Sequence, residues 1–132
     1  ELVGNDRIYQ FGIRSGDKSE FLWAKDHVIM NKFNFNGLDD VINLLDHKPV
    51  YLTIDLDVLD PSGFPGTGTP EAGGVSFHAL LDAIIKTGRL NVVGCDLNEL
   101  CPVYDQSGIS TAMACKTLRE LIISRKREGI EY

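Results

Sequence analysis

The chain has 132 residues, of which 43% are hydrophobic and 24% charged, the composition of an ordinary globular domain or part of one. Its 13 basic and 19 acidic side chains give a formal net charge of −6, which disfavours binding to nucleic-acid phosphates. No segment approaches the ~18 consecutive apolar residues of a membrane span, so a transmembrane role is excluded.

The chain begins with two candidate strands. Residues 7–14 alternate apolar and polar positions around Gly12 and predict a half-buried strand. Residues 26–32 form a second, shorter candidate. Residues 15–25, between the two, are largely polar and are predicted to be a connection.

A helix and a stronger strand follow. The apolar residues of 38–45 recur at i, i+3, i+4 and i+7, the spacing of one helix face. Residues 36–37 and 47–49 supply its start and stop signals. Residues 50–55 are rich in β-branched and aromatic side chains and predict a strand. A long Gly/Pro-rich loop then covers residues 58–74.

The last third of the chain predicts two helices and a strand. Ser76 is expected to cap a helix that ends at Gly88, and residues 90–97 are expected to form a strand. The last helix is predicted over residues 107–127, with its basic end, residues 125–127, facing solvent. Its buried face is predicted to consist of Thr111, Ala114, Cys115, Leu118, Leu121 and Ile122.

This order of elements predicts an α/β fold. Helices of about ten residues between strands imply right-handed crossovers and a mainly parallel sheet covered on both faces, a three-layer α/β/α arrangement. Functional residues of such sheets lie beyond the carboxyl ends of the strands. Here that rule indicates residues 55–74 and 96–105.

Asp55 and Asp57 lie two residues apart at the end of a strand, so their side chains are expected to point to the same side. Two close carboxylates repel each other, and burial would raise the pKa of at least one. A divalent cation such as Mg²⁺, Mn²⁺ or Ca²⁺ would keep both ionised, because these ions prefer oxygen ligands. From the spacing alone, a loop in which both carboxylates face water is an equally good interpretation. Asp60, before Pro61, fits a turn better than a ligand.

Residues 55–74, DLDVLDPSGFPGTGTPEAGG, resemble the signature of the ureohydrolase family of arginases and agmatinases. The D-x-D pair, the D-P, the P-G-T-G-T-P loop and the G-G before a helix all match. Residues 94–105, GCDLNELCPVYD, are similar to the family's D-x-x-E-x-x-P strand end. Residues 12–14 and 110–121 resemble its G-I-R strand and final helix. The sequences P-G-T-G-T-P-E and P-x-Y-D are more similar to agmatinases than to arginases, whose loop tends to carry Ala where Gly66 stands.

The resemblance implies an arginase-like fold and a centre of two Mn²⁺ ions. Asp55 would bridge both ions and Asp57 would be a ligand of one. Glu99 would face the substrate guanidinium, a planar donor group that a carboxylate accepts well. Thr69 would offer its hydroxyl in the same pocket. Judged without the family, Glu99 fits a solvent-facing loop acid and Thr69 a turn residue.

The implied activity is metal-assisted hydrolysis of a guanidino group, most similar to the conversion of agmatine to putrescine and urea. The cations would lower the pKa of water from ~16 toward neutrality. Arginine, guanidinobutyrate and formiminoglutamate are alternative substrates, and a non-catalytic subunit or interaction domain is the alternative of a different class. The resemblance also implies a small-molecule guanidino substrate, a homo-oligomer, and no nucleic-acid or membrane partner.

The family's G-G-D-H and D-A-H-x-D metal-ligand segments, expected before residue 7, do not occur in this sequence. His27, His47 and His78 fit surface or capping positions better than ligand positions. Residues 1–132 are therefore interpreted as the C-terminal part of a single ureohydrolase-type domain. We expect the chain by itself to be inactive and to expose an unpaired strand edge with an apolar face.

Cys95, Cys101 and Cys115 have no C-x-x-C spacing and cannot all pair, which favours a reducing compartment. Residues 1–6 lack the basic-then-apolar pattern of a signal peptide. We therefore expect a cytoplasmic protein. Cys95 and Cys115 are predicted to be core residues, and Cys101 a small apolar residue beside Pro102.

Overall fold

The computed structural model describes Gly4 and residues 7–125. This part of the chain contains four β-strands, four α-helices and two single-turn 3₁₀ helices. The strands are β1 (Tyr9–Ile13), β2 (Ile29–Lys32), β3 (Pro49–Asp55) and β4 (Asn91–Asn98). The α-helices are α1 (Lys18–His27), α2 (Leu38–Leu45), α3 (Phe77–Thr87) and α4 (Ile109–Arg125). The 3₁₀ helices span Leu56–Val58 and Pro102–Tyr104.

The strands form two parallel pairs. Within the described residues, β1 pairs with β2 and β3 pairs with β4. The second pair ends with Asp55 opposite Asn98. Parallel neighbours need crossover connections, which α1 and α3 provide. The prediction of an α/β fold with parallel strands is therefore confirmed.

Helices lie on both faces of the β1–β2 pair. In the described part of the chain, the face of the β3–β4 pair that carries Tyr51 and Thr53 is exposed, so the predicted cover on both faces is not complete there. Phe11 of β1 packs against a buried cluster that includes Ile42 of α2 and Ala83 of α3. Gln10 points to the opposite face of β1 because successive side chains alternate. It lines a cavity of about 490 Å³ together with residues of α1, such as Trp23. None of the helices in the described part of the chain has the length and apolar character to cross a membrane.

The larger core lies between the β3–β4 pair, α3 and α4. It contains Ile54 of β3, Leu80 of α3 and Leu121 of α4. Leu56 and Phe64, which lie beyond the end of β3, are both 0% exposed and belong to the same core. The Gly/Pro-rich segment after β3 is therefore anchored by buried apolar side chains, which fixes where its polar residues lie.

The segment predicted to be a polar connection is instead the helix α1. Its apolar residues are consecutive and not spaced along one face, and of its residues only Ala24 is buried. The start of the helix is stabilised locally, because the Asp17 N–H donates to Glu20 Oε2 at 2.8 Å, the D-x-x-E spacing of a capping box. The helix extends to His27, so β2 begins only at Ile29, later than predicted.

The buried face of α4 also differs from the predicted one. Leu118 and Ile122, predicted to be buried, are 45% and 50% exposed. Small side chains line the side that faces α3, where a Cβ added to Gly88 would lie 3.2 Å from Ser124 Cβ. Close packing of two helices favours small residues over large apolar ones at the contact. The buried residues of α4 are Ser110, Ala114, Thr117, Leu121 and Ser124.

Arg125, predicted to face solvent at the end of α4, is half-buried. Its Nη1 donates to the main-chain oxygens of Thr87 and Leu90 at 2.6 and 3.3 Å. It therefore attaches α4 to the end of α3. Residues 126–127 of the predicted basic end lie outside the described residues.

The described cysteines are free thiols. Cys95 and Cys115, predicted to be core residues, are both exposed. Cys115 lies outside the buried face of α4. Cys95 lies on β4, which among the described strands pairs only with β3. Cys101 is half-buried.

Candidate active site

Four candidate residues meet at one edge of the β3–β4 pair. Parallel strands have their carboxyl ends at the same edge, so Asp55 at the end of β3 lies near Glu99, which follows β4 directly. Thr69 comes from the loop between β3 and α3, and its Oγ1 lies 3.3 Å from Asp57 Oδ2. A Cβ added to Gly68 of the same loop would lie 4.0 Å from Glu99 Oε2. The fold therefore brings Asp55, Asp57, Thr69 and Glu99 together.

A turn, and not the alternation of strand residues, places Asp55 beside Asp57. Asp55 is the last residue of β3, and Asp57 is the middle residue of the 3₁₀ helix that follows. The Asp57 N–H donates to Asp55 Oδ1 at 3.3 Å. Leu56, between the two acids, is fully buried and fixes the turn in the core. The acids are close, as the spacing predicts, but for this different reason.

The carboxyl group of Asp55 resists ionisation. Loss of surrounding water, followed by the negative charge of Asp57, raises its pKa from 3.8 to about 6. The charge of Glu99 acts in the same direction, while the hydrogen bond from the Asp57 N–H opposes it. The side chain still presents surface to solvent, so a cation can reach the oxygens.

A single carboxylate closes the loop that presents Thr69. Asp60 Oδ2 accepts hydrogen bonds from the Gly73 and Gly74 N–H groups at 2.9 and 3.2 Å. The Ser62 hydroxyl and the main-chain donors lower the pKa of Asp60 to about 2. Gly74 has no room for a side chain, because a Cβ would lie 2.4 Å from the Asp60 nitrogen. Asp60 therefore shapes the loop, in agreement with the turn interpretation.

A second set of polar contacts, which the sequence interpretation missed, joins this loop to the segment after β4. Asp105 is buried and accepts from the Ser110 N–H at 2.7 Å and from the Ser107 hydroxyl at 2.5 Å. The Ser110 hydroxyl accepts from the Gly66 N–H at 2.8 Å. The Gly66 oxygen accepts from the Cys101 N–H at 2.7 Å. The only visible signal is the P-x-Y-D sequence that ends at Asp105.

A cleft opens between β1 and β3 beside the acids. Its volume is about 580 Å³, and residues of both strand pairs and of α3 line it. Phe11, Leu52 and Ile84 contribute apolar surface, whereas Asp55 and Asp57 contribute the acidic end. The β1–β2 pair and the β3–β4 pair lie on opposite sides of this cleft, and β1 and β3 are not hydrogen-bonded to each other.

The acids suit two of the ligands of a divalent cation. Carboxylate oxygens are ligands that Mn²⁺ accepts, and a cation would relieve the repulsion that raises the pKa of Asp55. Within the described residues, no group of three or more His, Cys, Asp or Glu side chains is arranged to hold a metal ion. His47 and His78 are exposed, and His27 is half-buried at the end of α1. The described residues therefore fit part of a metal site.

The chain matches the model of the Arginase family over residues 1–124. An agmatinase of Bacillus anthracis is 49% identical over 128 residues, and an agmatinase of Bacillus subtilis strain 168 is 46% identical over 127 residues. Each alignment covers 93% of this chain and 44% of the relative. The chain thus spans less than half the length of these curated relatives.

Solved structures of similar proteins have the same fold. The crystal structure of a candidate agmatinase from Clostridium difficile has a TM-score of 0.89 and 50% identity, covering 95% of this chain and 48% of that one. The agmatine ureohydrolase of Thermoplasma volcanium has a TM-score of 0.80 and 33% identity, covering 96% of this chain and 46% of that one. The similarity therefore includes both segments that carry the candidate residues.

The raised pKa of Asp55 predicts that Asp55→Asn stabilises the metal-free protein at neutral pH. The folded state binds this proton more tightly than the unfolded state, so the carboxyl group costs stability as the pH rises from 3.8 to above about 6. Solvent screens an exposed carboxylate, so we expect a gain of about 1 kcal/mol, or about 2–4 °C in Tm, at pH 7.5 and none at pH 3.5. Thermal unfolding of the complete protein in chelator across this pH range measures the effect.

Asp60→Asn is the matched control, with the opposite expected sign. The lowered pKa of Asp60 means that its carboxylate stabilises the fold above pH 3.8, and that this stability is lost as the pH falls toward about 2. The control variant should therefore melt below wild type at pH 7.5. A lower Tm for Asp55→Asn than for wild type at pH 7.5 would contradict the electrostatic account of the acid pair.

Proposed function

This chain belongs to the arginase family, and from that premise we propose that it acts in the manganese-dependent hydrolysis of agmatine to putrescine and urea. Residues 1–132 would form the C-terminal part of the ureohydrolase-type domain of a longer protein. The similarity to agmatinases supports the substrate. The observation that carries the proposal is the meeting of Asp55, Asp57, Thr69 and Glu99 at one sheet edge, with Thr69 3.3 Å from Asp57.

Asp55 and Asp57 would hold the manganese. Burial, and then the negative charge of Asp57, raises the pKa of Asp55 to about 6, and a divalent cation would stabilise the ionised pair. When bound, manganese would lower the pKa of water so that a nucleophile is available near neutral pH. Asp55 is proposed to contact both metal ions of the complete site and Asp57 one of them. The remaining ligands would come from residues outside the described part of the chain.

Glu99 and Thr69 would orient the substrate. A guanidinium presents a planar set of N–H donors, and a carboxylate accepts two of them in parallel, which is the role proposed for Glu99. The Thr69 hydroxyl donates its hydrogen toward Asp57, so its lone pairs stay available to accept from a guanidinium nitrogen.

The cellular setting is part of the proposal. A net charge of −6 and free cysteines support a cytoplasmic protein that binds neither nucleic acid nor membranes. Exposed apolar side chains, including Trp23, Leu118 and Ile122, support further protein contacts and hence a homo-oligomer.

The decisive test of the function is urea release by the complete protein with Mn²⁺ from agmatine, arginine and guanidinobutyrate. We expect Asp55→Asn to lower kcat on agmatine about a thousandfold or more, because it removes a ligand shared by both ions. Asp57→Asn removes a ligand of one ion and should cost less. Asp82→Asn, an exposed acid on α3, is the control and should retain wild-type kcat. Turnover of arginine or guanidinobutyrate in preference to agmatine would refute the substrate assignment.

Glu99→Gln tests recognition of the guanidinium. Loss of the charge-assisted contact should lower kcat/KM about a hundredfold. Because the proposed contact is with the group that all guanidino substrates share, the loss should be similar for each substrate that the protein accepts. Manganese binding, measured by calorimetry, should change much less. A loss confined to one substrate would argue that Glu99 reads another part of the molecule.

The 132-residue chain by itself is expected to release no urea from agmatine with Mn²⁺. The acids of the described residues supply only part of a metal site, and the cleft between β1 and β3 leaves apolar surface such as Leu52 open. We therefore also expect it to self-associate or to bind the complementary part of the protein in size-exclusion chromatography. A monodisperse, cooperatively melting and active monomer would disprove both expectations.

A further inference from the structure

The end of β1 is attached to the turn that follows β3, although the two strands are not paired. Arg14, the residue after β1, donates from Nη1 to the Val58 oxygen at 2.9 Å and from Nη2 to the Asp57 oxygen. These oxygens belong to the last two residues of the 3₁₀ helix that contains Asp57. Carbonyl groups at a helix end lack partners within the helix. The guanidinium supplies one donor to each, and the Val58 oxygen also accepts from the Val75 N–H at 2.9 Å.

Two neighbouring contacts tighten the same attachment. Gly12 has a left-handed φ of 74°, and a Cβ added to it would lie 2.4 Å from Val58 Cγ2. Val58 therefore packs directly on the bare backbone of Gly12. The Ser15 hydroxyl donates to Glu71 Oε2 at 3.0 Å, which joins β1 to the loop that presents Thr69. The segment from Gly12 to Ser15 thus contacts both the turn and the loop of the site.

We propose that Arg14 is a positioning residue that holds Asp57 in the geometry required for binding manganese, an inference that rests on the function proposed above. A single 3₁₀ turn has few hydrogen bonds of its own; here Leu59 N–H donates to Leu56 oxygen at 3.1 Å. Contacts from outside the turn therefore add to its stability. The Val75 N–H donates to the Val58 oxygen, whereas Arg14 donates to both the Asp57 and the Val58 oxygens.

The choice of arginine follows from the geometry of the clamp. A planar guanidinium can donate to two adjacent carbonyls at once, whereas a lysine ammonium acts as a compact point donor. Both of these hydrogen bonds of Arg14 go to main-chain oxygens. The Asp57 carboxylate is thus free to accept the Thr69 hydroxyl and a cation. Arg14 places positive charge near the acids without covering their oxygens.

The test compares Arg14→Met with Arg125→Met in the complete protein. Arg125 is the matched control, because it is also half-buried and also donates to two main-chain oxygens, those of Thr87 and Leu90, but at the α3–α4 contact. In metal-free protein, hydrogen exchange of the Leu59 amide should be about tenfold faster or more in Arg14→Met. In Arg125→Met it should change only as much as global stability does.

Manganese affinity provides the second measurement. Calorimetric titration should give a Kd about tenfold weaker for Arg14→Met, and Arg14→Lys should recover part of the loss because it can still reach one carbonyl. Arg125→Met should bind like wild type. Unchanged Leu59 exchange and unchanged manganese affinity in folded Arg14→Met, or in Arg14→Lys if the former does not fold, would overturn the inference. Failure of the proposed function would instead appear in wild type, as absent manganese binding or absent agmatine hydrolysis.

Discussion

The repulsion between two carboxylates at the end of one strand is the interaction on which the arrangement of this site depends. Leu56, which lies between Asp55 and Asp57 in the chain, is fully buried and anchors the turn that carries them in the core. In the metal-free fold, burial and then the charge of Asp57 raise the pKa of Asp55 to about 6. Such strain is characteristic of functional sites, where stability is given up for binding. The same repulsion that destabilises the metal-free state favours the entry of a divalent cation.

The loops around the acids are ordered by polar groups that bond mainly to the main chain. Asp60 closes one loop, Asp105 organises the start of α4, and Arg14 clamps the turn after β3. Every residue offers main-chain groups as hydrogen-bond partners. Side chains that bond to these groups can therefore stabilise an irregular backbone, which lacks the hydrogen bonds of a helix or sheet. Thr69 keeps hydrogen-bonding capacity beside Asp57, which supports the proposed role of Thr69 and Glu99 in substrate binding.

The success of the sequence predictions depended on how local the determining interactions are. The Ser76 cap and the apolar spacing of α3 identified that helix correctly, because both signals lie within the helix itself. The helix α1 was not predicted, because its apolar residues are consecutive and do not show a helical spacing. Its start is stabilised by the hydrogen bond between Asp17 and Glu20. The prediction of the buried face of α4 was wrong, because close packing against the neighbouring helix favours small residues such as Ser124 over larger apolar ones.

The sequence by itself determined the α/β class, the family through the motif of residues 55–74, and the position of the acids at a strand end. These features depend on periodicity, special Gly and Pro positions and neighbours close along the chain. Tertiary structure alone decided which distant residues meet: Arg14 binds the Val58 oxygen, and Ser110 binds the Gly66 nitrogen, each across 44 residues. Such partners become adjacent only when the strands, loops and helices pack together, an outcome that no local pattern encodes.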